Sequence, residues 1–137
     1  PAQGLARKIL LYCASSEAQK QAALEALGAT VVCLPGPQGK VDLAAMLLDL
    51  GQREVNELHL EAGHKLNGSF IREGLVDELL LYLAPLLLGS GGHGMAGFGP
   101  LQTLEDGTKL AFHSIDPVGE DLRIVARVRG HDAFLHP

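Results

Sequence analysis

The chain of 137 residues has enough apolar material, 47%, for one domain with a real core, so disorder is excluded. Eleven basic against sixteen acidic side chains give a formal charge of -5, and no Lys/Arg run stands ready to neutralise a phosphate backbone, which argues against nucleic acid. No stretch reaches the roughly 20 apolar residues that a bilayer needs; the longest near-run, Leu79 to Leu88, contains Tyr82 and Pro85.

The start, Pro1-Ala2-Gln3-Gly4, lacks an initiator Met and any signal-peptide pattern, and predicts that upstream residues have been removed. Ile9 to Cys13 is a short apolar run. It is followed by Ser15 and Ser16 as capping residues, a helix over Glu17 to Leu27, and a stop at Gly28. Thr30 to Leu34 predicts a second strand that Pro35-Gly36-Pro37-Gln38-Gly39 cannot continue. Cys13 and Cys33 fall in these two separate apolar runs. They read as buried thiols rather than a disulfide framework or a four-ligand zinc site, which points to a reducing cytoplasm.

Asp42 suits the N-cap of a helix over Leu43 to Leu50, ended by Gly51, and Glu57 to Glu61 predicts a third strand. From Lys65 to Glu73 the residues Leu66, Phe70 and Ile71 share a helical face, Gly74 ends the helix, and Asp77 to Ala84 predicts an apolar strand covered on both faces. Beyond the glycine-rich stretch from Gly89 to Gly99, Lys109 to Ile115 and Asp121 to Val128 predict an antiparallel hairpin across Asp116-Pro117-Val118-Gly119-Glu120. The expected fold class is therefore α/β: three layers around a mostly parallel sheet, with an antiparallel C-terminal hairpin.

Ligands of open α/β sheets bind beyond the carboxyl ends of the strands, which draws attention to the residues after Leu60. Glu61-Ala62-Gly63-His64-Lys65-Leu66-Asn67-Gly68-Ser69 passes through a glycine into a helix start. The opening amides of a helix lack intrahelical acceptors and can hold a pyrophosphate, and Lys65 would add a full charge. An ordinary tight turn into a helix fits the same pattern. Glu61, a carboxylate at the end of an apolar run, is open to a ligand role, to solvation, or to bonding the helix amides. Asp77-Glu78 lies at a strand start and reads as solvated or capping.

Gly89-Ser90-Gly91-Gly92-His93-Gly94 matches the dinucleotide fingerprint G-x-G-x-x-G, but Gly97, Gly99 and Pro100 oppose the helix that the fingerprint requires next, so a surface loop is expected. His59, His64, His93, His113, His131 and His136 form neither H-E-x-x-H nor the zinc-deaminase pattern, so no metal site is assigned. Serine-hydrolase elbows and P-loops are also missing.

Leu60-Glu61-Ala62-Gly63 with Leu66, Gly74-Leu75-Val76-Asp77-Glu78-Leu79, Tyr82-Leu83-Ala84-Pro85, Leu88-Gly89 and Gly119-Glu120-Asp121-Leu122 resemble, in order and spacing, a known family from about Leu47 to Val128. It is the C-terminal reductase module of the bifunctional riboflavin-biosynthesis deaminase-reductase, RibD type. The resemblance implies a dihydrofolate-reductase-like fold and NADPH-dependent reduction of 5-amino-6-(5-phosphoribosylamino)uracil to its ribitylamino counterpart, with hydride delivered to the ribosyl C1′. It implies that Glu61 contacts the substrate and that Gly63, His64, Lys65, Leu66, Asn67, Gly68 and Ser69 hold the NADP phosphates; no catalytic residue is assigned. It also implies a homodimer, and a parent chain with an N-terminal zinc deaminase domain that this chain lacks. Residues 1–129 are expected to be the C-terminal portion of the reductase domain, truncated at its front and inactive alone, with 130–137 a tail. Two alternatives stay open: a non-catalytic dimerisation scaffold, and a related reductase of another pyrimidine or pterin. Where the family often has Glu-Gly-Gly, this chain has Glu61-Ala62-Gly63, and the added methyl requires a negative φ at residue 62.

Overall fold

The computed structural model describes residues 8–97 and 99–131, and the chain divides after His59 into two compact units. In the first unit, β1 (Ile9–Cys13) pairs in parallel with β2 (Ala29–Cys33), and α1 (Ala18–Ala26) makes the crossover. The apolar β-branched runs form the ladder as expected, and Gly28, at φ +88°, follows the helix. The cap differs. Glu17 rather than a serine occupies the N-cap position, and its side chain accepts no bond.

α2 (Leu43–Gln52) follows the loop, and the Asp42 carboxylate accepts from the Ala45 amide at 2.9 Å, as the sequence predicts. Such a cap is worth about 1 kcal/mol. Leu43, Leu47 and Leu50, spaced i, i+4, i+7, form its inward face, with Leu43 and Leu50 buried. Gly51 does not end the helix but lies within its last turn.

One polar cluster ties β1 to α2. The Tyr12 hydroxyl donates to Asp49 at 2.6 Å, while the Arg53 guanidinium donates to both oxygens of the same carboxylate at 2.7 and 3.2 Å. Hydrogen bonds from Arg53, then from Tyr12, hold the Asp49 carboxyl below its ordinary pKa. Partial burial, then the Asp49 carboxylate, pushes the Tyr12 phenol up. A carboxyl lowered in the folded state stabilises above its unfolded pKa and loses that contribution as pH falls through the folded value. The gap in urea midpoint between the parent chain and Asp49→Asn should thus be full at neutral pH and close as pH drops below about 4. A gap that persists at pH 2 would mean the charge is irrelevant.

Cys13 and Cys33 depart from the expected buried thiols: Cys33 is exposed and Cys13 only half-buried. Both end their strands.

The second unit opens with α3 (His64–Arg72), followed by β3 (Glu78–Leu83), β4 (Leu110–Val118) and β5 (Asp121–Val128). Gly74, at φ +67°, stands just beyond the helix, and the β4–β5 hairpin turns tightly through Gly119 and Glu120. Strand order is β3-β5-β4 and both pairings are antiparallel. The chain is α/β, but the mostly parallel sheet is corrected: among the described residues one strand pair is parallel and two are antiparallel. The expected strand at Glu57 to Glu61 also fails to form: residues 55–63 lie in neither a helix nor a strand. Alternating β and α patterns specify elements, whereas strand direction depends on partners distant in sequence.

Within its own unit β3 is not covered on both faces either. Its register places Leu79, Leu81 and Leu83 beside Ala126, Ile124 and Leu122 on one sheet face, which Phe112 and Ile115 extend. Ala126 at the centre is fully buried, yet Leu83 is 56% and Phe112 70% exposed. The opposite face carries the ion pairs Glu78–Arg127 at 3.0 Å and Arg123–Asp116 at 3.7 Å. The acidic pair at the start of β3 is accordingly engaged, with Asp77 3.5 Å from the His131 imidazole. His131 thereby ties the first part of the predicted tail to β3, while residues 132–137 of that tail, and with them His136, lie outside the described residues.

Candidate functional site

Gly63 caps α3 at φ -78°, ψ 165°, in the extended conformation that suits an N-cap, but it has no side chain to offer the helix. The Leu66 and Asn67 amides both bond to the Gly63 carbonyl, at 3.0 and 3.1 Å. Among the described residues, no backbone carbonyl accepts from the amides of His64 and Lys65. The first turn holds no acidic residue, and Lys65 is exposed. A Cβ placed on Gly63 would meet nothing within 4 Å, so a ligand can reach the backbone there. Two open amides, a helix dipole and an ammonium make a net attraction for an anion.

The other predicted contact residues are distributed differently. Gly68 and Ser69 lie in the body of the helix, and the Ser69 hydroxyl accepts from Arg72 at 3.0 Å. Leu66 shares a helical face with Phe70, but Phe70 is 2% exposed and Leu66 43%. Glu61 is exposed, two residues before the cap, and is engaged in an interaction within the chain. Ala62 keeps a negative φ, as its methyl requires.

The glycine-rich stretch is where sequence reasoning missed most. Among the described residues no α-helix follows it, as expected, but it docks on α3 rather than standing clear as a surface loop. The Gly94 carbonyl accepts from His64 Nδ1 at 2.9 Å, the Met95 carbonyl from Asn67 Nδ2 at 3.0 Å, and the Gly97 carbonyl from Arg72 Nη1 at 3.0 Å. In return the Gly97 amide donates to the His64 carbonyl at 2.9 Å. The approach is so close that a Cβ on Gly68 would collide with the Gly97 backbone, and one on Gly97 with the His64 ring. The recurrence of glycine on both partners, at residue 68 and in the loop, was the available signal. Asn67 Oδ1 is left buried without a hydrogen-bond partner among the described residues. A buried acceptor of this kind costs about 1–3 kcal/mol unless a donor from solvent or ligand reaches it.

The described fold resembles that of Acinetobacter baumannii RibD, with a TM-score of 0.71 at 22% identity over 87% of this chain and 30% of that one. By fold the chain is thus an α/β module. The family model for the RibD C-terminal domain matches residues 2–124, and the chain belongs to that family. The match starts well before Leu47, where the sequence resemblance was expected to begin. Similar curated proteins include the riboflavin biosynthesis protein RibD of Escherichia coli K12, 38% identical over 65% of this chain and 24% of that protein. The 5-amino-6-(5-phosphoribosylamino)uracil reductase of Buchnera aphidicola from Acyrthosiphon pisum is 30% identical over 63% of this chain and 42% of its own length. The chain therefore spans about a quarter to two fifths of these relatives. Among the described residues, no helix is long and apolar enough to cross a membrane.

Proposed function

We propose that the chain forms the cofactor-holding part of a cytoplasmic, NADPH-dependent reductase of 5-amino-6-(5-phosphoribosylamino)uracil, with a dihydrofolate-reductase-like, three-layer arrangement in the complete protein. Family membership supports the reaction class. The observation that carries the assignment is the open start of α3, where the His64 and Lys65 amides face no backbone acceptor among the described residues. These residues fit a dinucleotide phosphate in charge, in backbone access at Gly63 and in the lack of a competing carboxylate in the first turn.

NADPH, when bound, supplies the hydride. The chain's own part is to bind and orient: the α3 amides and Lys65 hold phosphate, Asn67 Oδ1 accepts from a ligand hydroxyl or amide, and the loop over residues 94–97 braces His64 and Asn67 from behind. Glu61 is assigned to the substrate side. Gly68 acts through loop docking, and Leu66 and Ser69 border the site. Residues 1–129 form part of the reductase domain, and a zinc deaminase domain precedes it in the parent. The match covers 24% of the Escherichia coli relative, which leaves room for a further domain there.

A second reading, a dimerisation scaffold, is favoured by the exposed apolar face of the β3-β5-β4 sheet, and the two are compatible if the functional protein is a homodimer. Hydrogen exchange with and without NADPH separates them. The reductase reading expects protection of the amides from Gly63 to Ser69 and no NADPH oxidation by this chain alone when the uracil substrate is added; the scaffold reading expects no protection. Turnover by the isolated chain would refute the dependence on further residues.

A further inference from the structure

We propose that Cys13 and Cys33 form a cross-strand dithiol that closes reversibly into a disulfide by exchange with a low-molecular-weight disulfide. The β1–β2 register ends on the pair Cys13↔Cys33, and the next backbone bond, Leu34 amide to Cys13 carbonyl at 2.8 Å, holds the two residues side by side. Directly paired residues of adjacent strands project to the same face. Tyr12 turns to α2 through Asp49, so the two thiols share the opposite face.

Paired strands run about 4.7–4.9 Å apart, inside the range of about 4.4–6.8 Å that disulfide Cα atoms span. The Cβ atoms of a disulfide sit closer, about 3.8 Å, so closure draws the strand ends together. Both residues end their strands, where the ladder can yield, and a bond made against the ladder is easily reduced.

The two thiols differ in access. Cys33 is exposed, while Cys13 is half-buried with its Sγ 3.7 Å from the Val32 carbonyl. Partial burial, then the hydrogen bond with Cys33 and the negative charge of its thiolate, pushes the Cys13 thiol above its ordinary pKa. Reaction therefore begins at Cys33. Its thiolate attacks one sulfur of the small disulfide, forming a mixed disulfide and expelling one small thiolate, which removes the proton from Cys13. The Cys13 sulfur then attacks Cys33 Sγ and expels the second small thiolate, which takes a proton from solvent. The protein dithiol is oxidised by two electrons and the small disulfide is reduced to two thiols.

The test incubates the folded chain with oxidised glutathione, quenches with an alkylating agent and reads intact and peptide masses. The expected product is a monomeric chain lighter by two hydrogens, with neither cysteine alkylated, no glutathione retained, and both thiols restored by dithiothreitol. Cys13→Ser should keep a glutathione adduct on Cys33, and Cys33→Ser should react at Cys13 at least about tenfold more slowly. A stable adduct on wild-type Cys33, chain-to-chain disulfides, or two thiols that stay free would each overturn the proposal.

Discussion

Gly63→Asp is expected to stabilise the chain while weakening NADPH at least about tenfold. The cap position already has the backbone conformation that an aspartate N-cap uses, and a side chain there meets open space. A carboxylate would accept from the unbonded amides and complement a helix start that has no acidic residue in its first turn. Together these effects gain about 0.5–1 kcal/mol. The same carboxylate takes the donors that a phosphate would use and repels it, removing charge-assisted hydrogen bonds worth about 1.5–3 kcal/mol. Stability and affinity should move in opposite directions, which a merely structural role cannot produce. Thermal melts and an NMR titration with NADPH measure the two, with Gly63→Ala as the uncharged control. Affinity within twofold of the parent would remove the α3 amides from the site.

Gly68→Ala is the second substitution with a large expected effect. Its methyl falls on the Gly97 backbone rather than on a side chain that can swing away, so the loop must move. Moving it disrupts the Gly97 amide bond to His64 and the Arg72 bond to the Gly97 carbonyl, and weakens the neighbouring His64 and Asn67 contacts. Overpacking of this kind costs about 1–3 kcal/mol, and hydrogen exchange at the Gly97 amide should accelerate. Gly51→Ala is the matched control. That glycine lies in α2 with nothing within 4 Å of where the new methyl would sit, so alanine there should be neutral or stabilise by up to about 1 kcal/mol. Equal behaviour of the two variants would show that loop docking contributes nothing.

Local chemistry was enough to place most elements. Asp42 capping α2, Gly74 beyond α3 and the apolar runs of β1, β2, β3 and β5 all express preferences of a few adjacent residues, and the structure honours them. The candidate site was legible to the same extent: Gly63 marks the helix start because a glycine before a helical pattern is a local signal. Which of the following residues remain available to a ligand was not. The side chains of His64 and Asn67 bond to a loop some 28 to 30 positions away, and no pattern within either segment announces the other.

By itself, then, the sequence determined the α/β class, the helix boundaries to within a residue or two, the hairpin, and the family resemblance. These rest on interactions between near neighbours along the chain, or on motifs in a fixed order. Only the tertiary structure decided strand direction, the docking of residues 94–97 on α3 and the placing of Cys13 opposite Cys33. Each of these is a contact between segments far apart in sequence. Its free energy depends on how the segments meet in space, and the residues on either side carry no local record of it.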